Sequence, residues 1–201
     1  MNNPRMLDFP ATRRNRETIF AVLSSHLPAA GTLLEIASGS GQHAVAISAR
    51  LPQWQWLPSD AQPAHVQSIN AWREQLGPSN CAEALLLDVH DQPWPVSELD
   101  AIFCANMIHV APWSAAKALL SGAAAALRPQ GQLFVYGPFI QAAVPTAPSN
   151  LAFNADLQVQ DPTWGIRDLD EIEREAQQVG LQLQEVTAMP ANNLTVIFRR
   201  L

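Results

Sequence analysis

The stretch Leu33-Leu34-Glu35-Ile36-Ala37-Ser38-Gly39-Ser40-Gly41-Gln42-His43-Ala44 decides the fold. It opens as a short apolar run, passes through a turn of small residues, and re-emerges as Ala44, Val45, Ala46 and Ile47 at helical density. That is the pattern of a buried strand, a tight loop and a helix packed back on the strand. Gly39 and Gly41 carry no Cβ, so a ligand can approach their backbone and either can take a positive φ. The start of the following helix aims free N–H groups and the positive end of its dipole at the loop, which favours a polar or anionic group there. The stretch reads as a site for a nucleotide-type cofactor.

Two cofactor classes fit it. Gly39-Ser40-Gly41-Gln42-His43-Ala44 satisfies the dinucleotide pattern G-x-G-x-x-G/A, so an NAD-dependent oxidoreductase stays open. Read from Glu35, the same residues resemble the first motif of class I S-adenosylmethionine-dependent methyltransferases, an acidic residue followed by glycines at alternate positions. Gly39 and Gly41 match that motif, while Ala37 stands where its first glycine usually sits.

Upstream, residues Met1 to Arg14 read as irregular because of Pro4 and Pro10. A helix is expected from Asn15 to Leu27, with Ile19, Phe20, Leu23 and Leu27 on one face and Pro28 and Gly31 as its stop. Downstream, the helix after the loop is expected to run to about Leu51. Trp54 to Asp60 then reads as a second strand ending in a carboxylate about twenty residues past the glycine loop, where an acid accepts the hydroxyls of a cofactor ribose. Asp60 can equally cap the next helix, Gln62 to Leu76.

Ala84 to Val89 reads as a third strand, again ending in an acid, Asp88. Leu99 to Asn106 reads as a fourth, with Met107 to Val110 as a loop and an alanine-rich helix from Trp113 to Leu127. Arg128-Pro129-Gln130-Gly131 stops that helix before a fifth strand, Gln132 to Gly137. Pro138 to Gly165, with four prolines, reads as a long irregular connection of the kind that forms a lid or binding loop. A charged helix starts near Asp168 and is capped by Gly180. Leu181 to Met189 and Leu194 to Arg199 read as two strands joined by the turn Pro190 to Asn193.

Composition narrows the function classes. The 201 residues are 48% hydrophobic, enough for one domain over residues 1–201 with a sizeable core. A net charge of -6 without a long basic run argues against a nucleic-acid surface. Arg13, Arg14 and Arg16 are the one basic cluster and read as a solvated first turn. Cys81 and Cys104 form no CxxC pair, so neither a disulfide framework nor a metal site is expected. No apolar run approaches the roughly 20 residues that span a bilayer, and Met1 to Arg5 lead into no signal-peptide core. A cytoplasmic protein is expected, with no membrane partner and no assignable oligomeric state.

The loop at Glu35 to Gly41, Asp60, Asp88, the turn Leu127-Arg128-Pro129-Gln130-Gly131-Gln132-Leu133 and the final hairpin together resemble the class I methyltransferases over nearly the whole chain. Ser149-Asn150, Asp161 to Asp168 and Met189 to Leu194 are more narrowly similar to the methyltransferase-like protein 26 family, domain of unknown function 938. The resemblance implies an α/β, Rossmann-like class I methyltransferase fold. Its sheet would be mostly parallel and seven-stranded, closed by a C-terminal antiparallel hairpin.

The resemblance also implies S-adenosylmethionine as cofactor and methyl transfer to a small-molecule substrate. Glu35, Ala37, Gly39 and Gly41 would shape the methionine and ribose end, Asp60 would hold the ribose, and Asp88 with Val89 the adenine. Asn106 joins this cofactor set. An Asn-Pro-Pro-Tyr type motif, used on amide and base nitrogens, is replaced by Ala105-Asn106-Met107-Ile108. His109, just past the fourth strand, is the candidate general base. Tyr136, Trp164, Arg167 and Asn193 are candidate substrate contacts. Trp113, Phe139 and Phe153 can add apolar walls, and Asn150 and Asn154 polar ones. A non-catalytic protein that binds S-adenosylmethionine is the remaining alternative.

Overall fold

β1 (Gly31–Ile36) buries its last four residues, Leu33 to Ile36, because it lies inside a sheet covered on both faces. The structure, a computed structural model, describes residues 5–201, so the reading of Met1 to Pro4 as irregular and free of a signal-peptide core lies outside the described residues. The other strands are β2 (Trp54–Asp60), β3 (Leu85–Leu86), β4 (Leu99–Ala105), β5 (Leu127–Gly137), β6 (Phe139–Ile140), β7 (Arg167–Asp168), β8 (Leu181–Met189) and β9 (Asn193–Arg200). Among the described residues seven of them form one sheet in the order β3-β2-β1-β4-β5-β9-β8, while β6 and β7 pair separately as a parallel ribbon. The first five are parallel. β9 is antiparallel to both β5 and β8. The expected architecture is the observed one.

The period-2 alternation of the strands sorts the core onto two faces. Leu34, Ile36, Ile102, Cys104, Leu133 and Val135 point to one side. There they meet α4 (Trp113–Ala126) and α6 (Leu169–Gln178) through Ala116, Leu119, Leu120, Ala123, Ile172 and Ala176. Leu33, Ala101, Phe103 and Phe134 point to the other side, against Ile19 and Leu23 of α1 (Pro10–His26) and Ala44 and Ile47 of α2 (Gln42–Ser48). Each fully buried Leu, Ile or Phe contributes about 1.5–3 kcal/mol relative to exposure. α4 also leaves room at Gly122 for Trp94, since a Cβ there would lie 2.3 Å from Cζ2 of that ring.

Several boundaries differ from expectation. Pro10 starts α1 instead of breaking it, since proline at the first helical position gives up an N–H that has no partner anyway. α2 stops at Ser48, short of Leu51. β3 is two residues long because it is an edge strand, and Leu86 faces outward. α3 (Pro63–Leu76) begins one residue later than expected, with Gln62 as its N-cap. β5 starts at Leu127, and Gln130 at φ 69 accommodates the irregularity before the regular ladder. The long connection contains a 13-residue helix, α5 (Pro148–Gln160), which buries only Asn150 and Leu157 and so shows no apolar stripe. α6 has the expected start, where Asp168 accepts from the N–H groups of Asp170 and Glu171.

Among the described residues no helix is long and apolar enough to cross a membrane, and no group of three or more His, Cys, Asp or Glu side chains is placed to hold a metal. Cys81 and Cys104 are buried free thiols.

Candidate active site

The chain runs outward from β1 through β2 to β3, then returns to lay β4 on the other side of β1. Loops leaving the carboxyl ends of β1 and β4 therefore diverge, and the gap between them is where α/β sheets bind ligands. A cavity of about 520 Å³ opens there, within the size range of small-molecule sites. Ala37 and Asn106, the residues just past the two strands, both line it and both take left-handed conformations, at φ 55 and φ 60. A non-glycine residue there costs of order 1–3 kcal/mol, which the surrounding structure has to over-determine.

The glycine loop turns its amides inward. Ser38 N–H donates to Ser59 O at 2.8 Å, Gly39 N–H to Asp60 Oδ2 at 2.9 Å, and Gly41 N–H to Ser38 O at 3.0 Å. Gly39 lines the cavity at φ 58, with the Phe9 ring above it: a Cβ there would stand 3.0 Å from Phe9 Cε2. Gly41 serves packing instead. Its φ is 90, and a Cβ would lie 2.6 Å from Cα of Ile69 in α3. α2 is only seven residues long, a short support for any dipole argument.

Asp60 lines the cavity at 5% exposure. Oδ1 accepts from Gln62 N–H at 2.9 Å and meets His65 Nδ1 at 3.0 Å, while Oδ2, among the described residues, accepts only from Gly39. A carboxylate has about four acceptor positions, so Oδ2 keeps one for a ligand. Asp60 is therefore not the cap of α3, whose N-cap is Gln62; it binds the turn ahead of that helix and faces the cavity. Asp88 also lines the cavity, with its side chain about half exposed. The backbone N–H and imidazole of His90 hold its carboxyl below the usual range, at 2.9 and 2.8 Å from Oδ1. Val89 is buried beside it and supplies an apolar wall.

Glu35 lies elsewhere. It is 2% exposed, it does not line the cavity, and its Oε2 accepts from Trp56 Nε1–H at 2.8 Å. Burial pushes its carboxyl up to about 8, so it is a neutral acid inside the α1 side of the core.

His109 is not at the cavity either. It is 1% exposed, packs edge-on to Phe139 at 5.6 Å between ring centres, and has neither ring nitrogen hydrogen-bonded. Burial lowers its pKa to about 3, so it is a neutral core side chain.

Of the candidate substrate contacts, Trp164 lines the cavity, whereas Tyr136, Arg167 and Asn193 do not. Tyr136 is buried in the α1-side core. Arg167 is a clamp: its Nε–H donates to Ile108 O at 2.8 Å and its second terminal nitrogen to Ala111 O and to Thr163 O at 3.1 Å. Asn193 Nδ2–H donates to Pro190 O at 3.0 Å and holds the β8–β9 turn. Trp113 stands beside the Arg167 guanidinium and Phe153 is exposed. Asn150 and Asn154 tie α5 to its surroundings, through Asn192 O and Ile166 N–H.

Sequence reasoning missed the roof. Residues before α1 strap across the glycine loop and α3. Leu7 N–H donates to Ser68 Oγ at 2.9 Å, Trp72 Nε1–H to Leu7 O at 2.8 Å, and Phe9 N–H to Gln42 Oε1 at 2.9 Å. Gln42 Nε2–H reaches Asp8 Oδ1 at 3.0 Å. Asp8 also pairs with Arg13, so part of the basic cluster serves the strap. Phe9, Thr12, Asn15, His43 and His65 thereby line the cavity.

The family model described as protein of unknown function (DUF938) matches residues 6–200. Among solved structures, the chain is similar to the mitomycin 7-O-methyltransferase MmcR, with a TM-score of 0.83 at 18% identity over 95% of this chain and 54% of that one. It is similar to an O-methyltransferase family 2 protein from Planctomyces limnophilus in complex with apigenin, with a TM-score of 0.74 at 19% identity over 92% of this chain and 62% of the other. Human N-acetylserotonin methyltransferase in complex with S-adenosylmethionine gives 0.76 at 16% identity, over 94% of this chain and 52% of the other. The chain thus spans a little over half the length of these structures. At such identities the likeness is one of fold, and the fold is that of the class I methyltransferases.

Proposed function

This chain belongs to the DUF938 family, and we propose that it is an S-adenosylmethionine-dependent methyltransferase acting on a small molecule, with residues 1–201 as one domain. The observation that carries this reading is the inward-turned glycine loop. A dinucleotide needs loop amides free for its pyrophosphate, yet Ser38, Gly39 and Gly41 donate theirs within the protein. No Lys or Arg is found among the described residues that line the cavity, whereas Asp60 and Asp88 are. That charge balance suits a cationic sulfonium compound over a dianionic pyrophosphate.

The residues present fit such a cofactor. Asp60 Oδ2 offers an acceptor to ribose hydroxyls, the ionised Asp88 offers one to an exocyclic amine, and Val89 and Leu87 offer an apolar face to a purine. Ala37 and Gly39 leave the loop backbone approachable. S-adenosylmethionine would supply a methyl group on a sulfonium, whose transfer depends chiefly on the alignment of donor and acceptor. Phe9, Met107 and Trp164 would exclude water from the cavity. Two of the structures it resembles are described as O-methyltransferases, so hydroxyl compounds head the acceptor screen. Two free buried thiols fit a reducing compartment such as the cytoplasm.

Calorimetric titration with S-adenosylmethionine, S-adenosylhomocysteine and NAD tests the reading. Saturable binding of the first two is expected, weakened about tenfold or more in Asp60→Ala and Asp88→Ala, as for loss of a charge-assisted hydrogen bond. Binding of NAD alone would overturn it.

A further inference from the structure

His43 stands at the start of α2, 7% exposed, and lines the cavity together with Asn15 of α1, 8% exposed. Its Nε2 is 2.9 Å from Asn15 Oδ1. Oδ1 is the Asn15 atom that faces the imidazole. An amide oxygen only accepts, and therefore Nε2 carries the ring proton. Nδ1 is left as a lone pair with no hydrogen-bond partner among the described residues. The Phe103 ring packs edge-on against the imidazole, 6.2 Å between centres, and fixes its plane.

On the reading of the cavity as a methyl-transfer site, we propose that His43 is the substrate-binding residue that positions the acceptor, with Nδ1 accepting a hydrogen bond from the hydroxyl of a small uncharged phenol or alcohol. Burial, with Arg16 adding to it, lowers the imidazole to about 4, so the acceptor lone pair persists at neutral pH. A carboxylate or phosphate substrate would meet a lone pair there with no lining Lys or Arg to offset it. As the S–CH3 bond breaks and the O–CH3 bond forms, the hydroxyl proton leaves by way of Nδ1 to solvent, since an imidazole lowered to about 4 does not retain it. A hydroxyl donor satisfies the site, and its methyl ether does not. That difference would let the product leave. The same lone pair could instead take an N–H of the cofactor's ammonium, and the experiment separates the two donors.

The test uses the full chain labelled with ¹⁵N-histidine. At neutral pH His43 should show the Nε2–H tautomer. With S-adenosylhomocysteine bound, phenol should shift the Nδ1 resonance and anisole should not. His43→Gln keeps a donor toward Asn15 but lacks an acceptor at the Nδ1 position; it should lose about tenfold in phenol affinity, the size of one buried hydrogen bond, with S-adenosylhomocysteine binding unchanged. His43→Asn puts Oδ1 where Nδ1 was and should restore phenol binding. An Nδ1–H tautomer, equal responses to phenol and anisole, or loss of S-adenosylhomocysteine binding in His43→Gln would each overturn the proposal. If the wild-type protein binds no S-adenosylhomocysteine, the methyltransferase reading fails, while the tautomer and the phenol titration of the unliganded protein still decide the role of His43.

Discussion

Trp56 Nε1–H donates to Glu35 Oε2 at 2.8 Å inside the core, so the one acid of β1 is bound to the neighbouring strand and not to the cavity. Its folded pKa of about 8 lies above the model-peptide value of 4.5. A raised carboxyl pKa means the folded state holds a proton that the unfolded state has released. The associated stability is fully present below 4.5 and is lost as pH rises toward 8. Glu35→Gln keeps an acceptor for Trp56 and cannot ionise. From pH 5 to pH 8.5 the unfolding free energy, read from denaturant titrations, should therefore fall less in Glu35→Gln than in wild type, by a few kcal/mol. An identical pH slope in both would refute the buried neutral acid.

His109 gives the opposite sign. Its pKa falls from 6.5 to about 3 on folding, so its contribution is present above 6.5 and is lost as pH drops toward 3. Replacing it by Leu removes a buried imidazole with two unpartnered nitrogens. His109→Leu should lose less stability than wild type between pH 6.5 and pH 4, measured by urea unfolding, and should bind S-adenosylmethionine normally. Loss of cofactor binding would show that His109 reaches the ligand after all.

Backbone conformation makes a paired prediction in the cofactor loop. Ala37→Gly relieves a left-handed alanine and should stabilise by about 1 kcal/mol. Gly41→Ala should destabilise by at least about 2 kcal/mol, since it adds an unfavourable φ to a 2.6 Å approach to Ile69. Thermal melting of the two variants checks both signs at once.

Arg167 joins residue 163 to the segment 108–111 by its guanidinium, and Gly165 N–H adds a bond to His109 O at 3.0 Å. Arg167→Ala leaves several carbonyls without a donor and should cost about 1–3 kcal/mol. Because Trp164 lies between the anchored residues, the cut rate of limited proteolysis near 161–166 should rise in this variant. Unchanged cleavage would indicate that Gly165 alone holds the segment.

How much of this could be read from the chain follows from where each signal is encoded. β1, β2, β4, α4 and the β8–β9 hairpin were legible because their apolar period and their Gly or Pro stops are local. α5 was not, since Leu157 is its one buried apolar residue and Pro148 reads as a breaker until a helix is seen to start on it. α1 was shortened for the same reason at Pro10.

In the site, Asp60 and Asp88 were visible as acids at strand ends. Phe9, Asn15 and His65 were not, because folding alone brings them over the loop. His43 did leave a trace: a ring-bearing polar residue beside Gln42, ahead of the small and apolar side chains of α2. Glu35 was read as a cofactor residue from the resemblance, and only the depth of β1 in the sheet reveals its partner to be Trp56.

The position of β9 has a consequence for how the protein is made. Residues 193–200 fill an interior place, between β5 and β8, although they are synthesised after both of those strands. Until they arrive, β5 exposes the N–H and C=O row that β9 will pair, and Phe134, Val135 and Tyr136 lack Ile197, Val196 and Thr195 beside them. Such an open apolar edge is a template for pairing with other chains. The nascent protein is therefore most prone to aggregate before the turn at residues 190–192 folds β9 back into the gap.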